Sequence, residues 1–120
     1  MSSNYYSSLE SERYQEWIIE TLAKGFGMDT TDKSNLLERL EKAVYKGTDC
    51  GAWVRVIEDE TVHLVVGTIV EGSDAEYTEE VNLEGCDRGD EEELCRRFWA
   101  AMDNCEKFAE EHFDYDNNTL

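Results

Sequence analysis

The residues of this chain best suited to hold a metal ion or to act as nucleophiles are four cysteines, Cys50, Cys86, Cys95 and Cys105, and two histidines, His63 and His112. Their spacing argues against a shared ion. On one helix Cys95 and Cys105 would stand about 15 Å apart along the axis and Cys105 and His112 about 10 Å, whereas zinc ligands lie about 2 Å from a common metal. A zinc site would need the remote Cys50 or His63 to complete it, and no metal site is expected. The run Gly85–Cys95, GCDRGDEEELC, holds five acids and two thiols in eleven residues. Clustered oxygens suit calcium, yet these acids do not follow the alternating spacing and terminal glutamate of the twelve-residue calcium loop. Neither histidine has a serine or cysteine beside it in sequence to support a triad. The Arg-Gly-Asp at 88–90 is too short a match to indicate adhesion, and no glycine-rich phosphate loop is present. The expectation is a protein that is not an enzyme and carries no cofactor.

The same acidic run is well explained as the start of a helix. Acids in a first turn complement the positive end of the helix dipole, at about 0.3–1 kcal/mol each. Glu92 with Arg96 and Glu93 with Arg97 are i,i+4 pairs in the favourable order. At the other end of that helix Glu106, Glu110, Glu111, Asp114 and Asp116 crowd the negative pole, which costs local stability. Those acids are read either as a solvated, fraying tail or as an extension of an acidic binding surface.

Hydrophobic periodicity supplies the elements. Ser7 and Glu10 stand three apart as a capping box, opening a helix over 8–24 in which Tyr14, Trp17, Ile18, Thr21 and Leu22 recur at helical spacing. Gly25 and Gly27 end it. A second helix over 34–46 carries Leu36, Leu37, Leu40, Ala43 and Val44 on one stripe and stops at Gly47. From Cys50 the period changes to two, giving strands over 52–57, 61–70 and 75–83 with hairpin-length connections. In the third strand Ala75, Tyr77, Val81 and Leu83 share one face, with Glu79 as an exception, and Glu76, Thr78, Glu80, Asn82 and Glu84 share the other. The second strand is apolar on both faces, with Val62, Leu64, Val66 and Val70 opposite Val65 and Ile69, and is predicted to be central and at least partly covered on both sides. Leu94, Phe98, Ala101, Met102, Cys105, Ala109 and His112 define a last helix over 90–112. The architecture predicted is α+β: two N-terminal helices, a three-stranded antiparallel β-meander and a long C-terminal helix, in the order α-α-β-β-β-α. The chain is expected to be one domain, 1–120, with flexible termini at 1–7 and 114–120.

Charge narrows the functional classes. Twenty-nine acids against eleven Lys and Arg leave a formal net charge of −18. The excess is uneven, since residues 58–93 carry fourteen acids and one base, Arg88, while residues 1–57 carry nine acids and seven bases. Adaptation to high salt would coat the whole surface, so a local acidic face is the preferred reading. Such a face repels nucleic acid and anionic membrane and attracts basic proteins. No apolar run is long enough to span a membrane, no signal peptide is evident at the start, and the cysteines are read as reduced, mostly buried thiols of a soluble cytoplasmic protein.

The candidate partner-binding residues are Glu58, Asp59, Glu60, Glu71, Asp74, Glu76, Glu80, Glu84, Asp87, Asp90 and Glu91. If they share one side, Lys and Arg of a partner would engage carboxylates as they engage backbone phosphates. In composition and size the chain resembles the small acidic nucleic-acid mimics that phages and mobile elements encode against restriction or CRISPR enzymes. That resemblance is to a functional class, carried by charge and size and by no motif. It implies a stoichiometric inhibitor that occupies a basic nucleic-acid-binding cleft of a defence enzyme. The alternatives are an immunity or antitoxin-type inhibitor of a basic toxin, with aromatic anchors such as Trp53 or Tyr77, and a dimeric regulatory module whose charge serves solubility. Trp53, Val65 and Ile69 are the residues expected to carry self-association into a homodimer if no helix or N-terminal arm covers that face.

Overall fold

The change of sequence period at Cys50 coincides with a change from helices to sheet. The computed structural model describes residues 8–58, 61–70 and 74–118, with side chains over 10–57, 61–70 and 74–112. Helix α1 (Ser8–Gly25) and helix α2 (Leu36–Gly47) precede strands β1 (Trp53–Glu58), β2 (Val62–Val70) and β3 (Ala75–Val81), and helix α3 (Glu91–Asn118) closes the order. This is the predicted α+β arrangement, with α3 running six residues beyond the expected His112. The strands form one antiparallel sheet in the order β1-β2-β3, so β2 is central.

All three helices pack on the sheet, and the burial pattern shows that they do so on one face. Val54, Val56, Leu64, Val66, Thr68 and Val81 point into the core, where they meet Ile18 and Leu22 of α1, Leu40 and Val44 of α2, and Phe98 and Met102 of α3. The helix stripes read from the sequence are the stripes that are buried, with Trp17, Leu37, Ala43, Ala109 and His112 only half enclosed. Burying a Leu, Val or Phe side chain contributes roughly 1.5–3 kcal/mol, so these stripes hold the helices to the sheet.

Local devices close the helix ends. The Met28 N–H donates to the Ala23 carbonyl at 3.0 Å and the Gly27 N–H to the Lys24 carbonyl at 3.0 Å, a Schellman stop in which Gly27 takes φ 72°. Gly25 lies inside the helix, so Gly27 is the residue that ends it. Ser7 of the proposed capping box lies outside the described residues. At α2 the cap is Asn35, left-handed and without a side-chain cap bond. The preceding loop is instead held by the Asp29 and Asp32 carboxylates, which accept from the Thr31 and Ser34 N–H groups, and by Arg39, which donates to the Asp32 and Ser34 carbonyls. The bonds from Thr31 and Ser34 keep both aspartates below the usual carboxylate range. Among the described residues no helix is long and apolar enough to cross a membrane.

Candidate functional site

Strand β3 lies at an edge of the sheet, and alternation along it decides which acids face outward. Glu76, Thr78 and Glu80 are exposed on the face away from the helices, while Ala75, Tyr77 and Glu79 are half-buried on the inner side. Glu79, the exception in the apolar pattern, is accounted for by its partners. Tyr77 Oη donates to its Oε1 at 2.5 Å and Asn104 Nδ2 donates to the same oxygen at 2.9 Å. Tyr77 also packs on Phe108 of α3, with ring centroids 5.3 Å apart. The bond to Glu79 and burial push the Tyr77 phenol up to about 12. Tyr77 therefore ties β3 to α3 and is not the exposed aromatic anchor that the sequence suggested.

Beyond β3 the chain continues through Glu84, Asp87, Asp90 and Glu91, all exposed. Two anchors fix this acidic loop from behind. The buried Tyr14 Oη donates to the Cys86 carbonyl at 2.6 Å, and Arg97 Nη1 donates to the carbonyls of Asn82 and Glu84 at 2.9 and 2.7 Å. Arg97 is itself held by Glu93, whose Oε2 accepts from Arg97 Nε at 2.7 Å. Arg96 also turns to Glu93, with contacts of 3.0 and 2.5 Å, so the expected Glu92–Arg96 pair gives way to an i,i+3 pair. Bonds from Arg96 and then Arg97 hold the Glu93 carboxyl down at about 2.

The remaining candidate acids divide clearly. Asp74 is exposed immediately before β3, with φ 57°. Glu58 ends β1, but its side chain lies outside the described residues, as do Asp59, Glu60 and Glu71 altogether. The structure thus brings Glu76 and Glu80 onto one face of β3 and places Glu80 and Glu84 in the wall of one open cleft of about 410 Å³, shared with Tyr14, Thr61, His63 and Asn82. Asp87, Asp90 and Glu91 follow along the loop and helix start.

The outer face is not uniformly acidic. The register sets Trp53 opposite Gly67, Arg55 opposite Val65, Val65 opposite Glu80 and Ile69 opposite Glu76. A column of carboxylates on β3 therefore runs beside an apolar column on β2 and β1. Trp53 and Val65 are half-buried and Ile69 is exposed, so the three residues named for self-association do share a face. No described helix packs on that side; the cover expected over both faces of β2 is limited to its strand neighbours. The Arg55 guanidinium sits 4.8 Å from the centre of the Trp53 ring, a cation–π contact.

One constellation was invisible in the sequence. His63 Nδ1 lies 2.7 Å from Glu80 Oε2, and its Nε2 lies 3.2 Å from Thr61 Oγ1. The pairing is diagonal across the sheet, and only the register reveals it. Its connectivity is that of hydroxyl, base and carboxylate, but the imidazole and carboxylate are 39% and 58% exposed. Three of the four thiols are turned away from nucleophilic chemistry by burial. Burial raises the thiols of Cys86 and Cys95 and pushes that of Cys105 up to about 12, away from the reactive thiolate. Among the described residues no group of three metal-ligating side chains is assembled.

No family model, curated protein or solved structure matches the chain. The functional reading therefore rests on the site's own geometry.

Proposed function

We propose that this is a non-catalytic binding protein of the cytoplasm whose acidic β3 face and following loop occupy the basic nucleic-acid-binding surface of a defence enzyme, in the manner of an anti-restriction or anti-CRISPR inhibitor. The observation that carries this reading is the series of exposed carboxylates Glu76, Glu80, Glu84, Asp87, Asp90 and Glu91, along a stretch, 74–93, whose only base is Arg88. On β3 alone the charges are sparse, because Glu76 and Glu80 are about 13 Å apart along the strand, against one phosphate per about 3.4 Å of a DNA strand. The loop acids make up the density. Their backbone is fixed by Tyr14 and Arg97, so little ordering entropy is lost when a partner docks.

Among the described residues the exposed side chains of Glu76, Glu84 and Asp87 make no bond to the rest of the fold, which makes them suitable for charge reversal. The tagged protein, incubated with host lysate at low salt, is expected to retain a basic nucleic-acid enzyme that duplex DNA or structured RNA displaces. The Glu76→Lys, Glu84→Lys, Asp87→Lys variant is expected to keep its circular dichroism and lose that partner. Retention of the same partner by the variant would sink the acidic-face reading. An immunity or antitoxin-type role has a specific observation in its favour, the apolar column of Trp53, Val65 and Ile69 beside the carboxylates. It predicts a partner that nucleic acid fails to displace.

A further inference from the structure

Helix α3 runs back along β3. Arg97 meets the chain after β3, Asn104 meets Glu79, and Phe108 meets Tyr77 near its start. With 28 residues α3 is about 42 Å long, while the nine residues of β2 extend about 30 Å. The helix therefore overruns the end of the sheet where β1 begins and β2 ends. An open groove of about 860 Å³ lies in that angle. Its apolar walls include Tyr45, Trp53 and Ile69, and its acids are Asp49, Glu106 and Glu110; among the described residues the lining holds no Lys or Arg, and the nearby Arg55 lies over the Trp53 ring. Tyr45 is 58% and Ile69 54% exposed, the two most exposed of the large apolar side chains among the described residues.

We infer that this groove receives an apolar side chain flanked by Lys or Arg, carried on a segment of a basic partner protein. The inference rests on the reading of the protein as a binder of basic partners and adds the place where an apolar anchor enters. Charge selects the occupant. A second copy of this chain, itself at −18, would set carboxylates against Asp49, Glu106 and Glu110. The chain's own last residues, 113–120, hold two aspartates and no base. Nucleic acid is repelled by the same three acids. An apolar side chain with cationic neighbours satisfies both halves of the lining, its methylene groups against Ile69 and Tyr45 and its charges at the carboxylates.

The test is a titration of the full-length, nitrogen-15-labelled protein with three capped pentapeptides, Lys-Lys-Leu-Lys-Lys, Lys-Lys-Ser-Lys-Lys and Glu-Glu-Leu-Glu-Glu, followed by NMR. The leucine–lysine peptide is expected to shift the amides of Gly51, Ile69 and Ala109 and the indole N–H of Trp53. It should bind about tenfold more tightly than the serine peptide, the difference made by partly burying a leucine side chain. The glutamate peptide should leave the groove signals unmoved. Ile69→Asp, and separately Glu106→Lys with Glu110→Lys, should each weaken the leucine–lysine peptide by about tenfold. Unchanged signals at the distant Cys86 and Leu94 would confirm that these variants fold. Equal binding of the leucine and serine peptides, or shifts confined to β3 and its loop, overturns the groove proposal. The two readings fail separately. Loss of the peptide on reversing Glu76, Glu84 and Asp87, with the groove variants unaffected, removes the groove and keeps the acidic face. Groove binding as expected, together with retention of the lysate partner by that triple variant, removes the acidic face and keeps the groove.

Discussion

Tyr14 carries more structural responsibility than its place on a helix stripe suggests. Its ring is buried and stacks near Trp17, while its hydroxyl reaches 72 residues along the chain to the Cys86 carbonyl. Tyr14→Phe keeps the ring and leaves that carbonyl without the hydroxyl, a loss of about 1–3 kcal/mol that a urea titration should register. Hydrogen exchange should quicken in the 84–90 loop before it quickens in the core. Glu93 offers a pH test. Its carboxyl is held at about 2 by Arg96 and Arg97, far below its ordinary 4.5. A depressed folded value stabilises the native state at pH above 4.5, and that contribution disappears as pH falls from 4.5 toward 2. Glu93→Gln should therefore flatten the fall of the urea midpoint across this acid range. The Glu93–Arg97 pair was legible as an i,i+4 spacing, because helix geometry fixes neighbours three and four apart. The His63–Glu80 pair was not, because cross-strand neighbours depend on a register that no local pattern states.

The elements themselves were largely readable from hydrophobic period, and the orientation of the sheet shows where that reading stops. Apolar residues on both sides of β2 suggested cover on both faces; the structure gives helices to one and leaves Val65 and Ile69 beside their strand neighbours on the other. A strand pattern records that a face avoids water, not what covers it. Gly67 marks the place where cover is supplied from within the sheet. A Cβ there would collide with the Trp53 indole and lie 2.6 Å from the Tyr77 carbonyl oxygen. Gly67→Ala is expected to cost about 1–3 kcal/mol by overpacking, measured by urea unfolding. Adding Trp53→Ala should recover only part of the loss, since the Tyr77 carbonyl remains; full recovery would place the whole constraint in the indole. The acids of β3 have a second effect at this scale, since charge on an edge strand discourages pairing with other chains. The candidate acids could be listed from composition. The β3 face that carries Glu76 and Glu80 could be read from alternation, but the anchoring of the loop and the groove rim could not, because they follow from the path of α3 across the sheet.

At the scale of the whole molecule, a net charge of −18 on 120 residues should make folding and a complex held by the acidic face respond to salt in opposite directions. Raising ionic strength from 0.01 to about 0.15 M shortens the Debye length from about 30 to about 8 Å, which weakens repulsion among carboxylates spread over the surface. The folded state, which holds those charges closer together than the unfolded chain does, gains from that screening, so Tm should rise over this range in scanning calorimetry. A complex held by the acidic face should weaken over the same range, mostly through slower association. Self-association through Trp53, Val65 and Ile69 would behave differently, because screening lets two like-charged copies approach while leaving apolar burial intact. Sedimentation velocity at the two salt concentrations separates the cases. A monomer at both, with a partner complex that dissociates as salt rises, is the expected result. A dimer that strengthens with salt would instead assign the exposed sheet face to a second copy and reduce the charge to a means of keeping that dimer in solution.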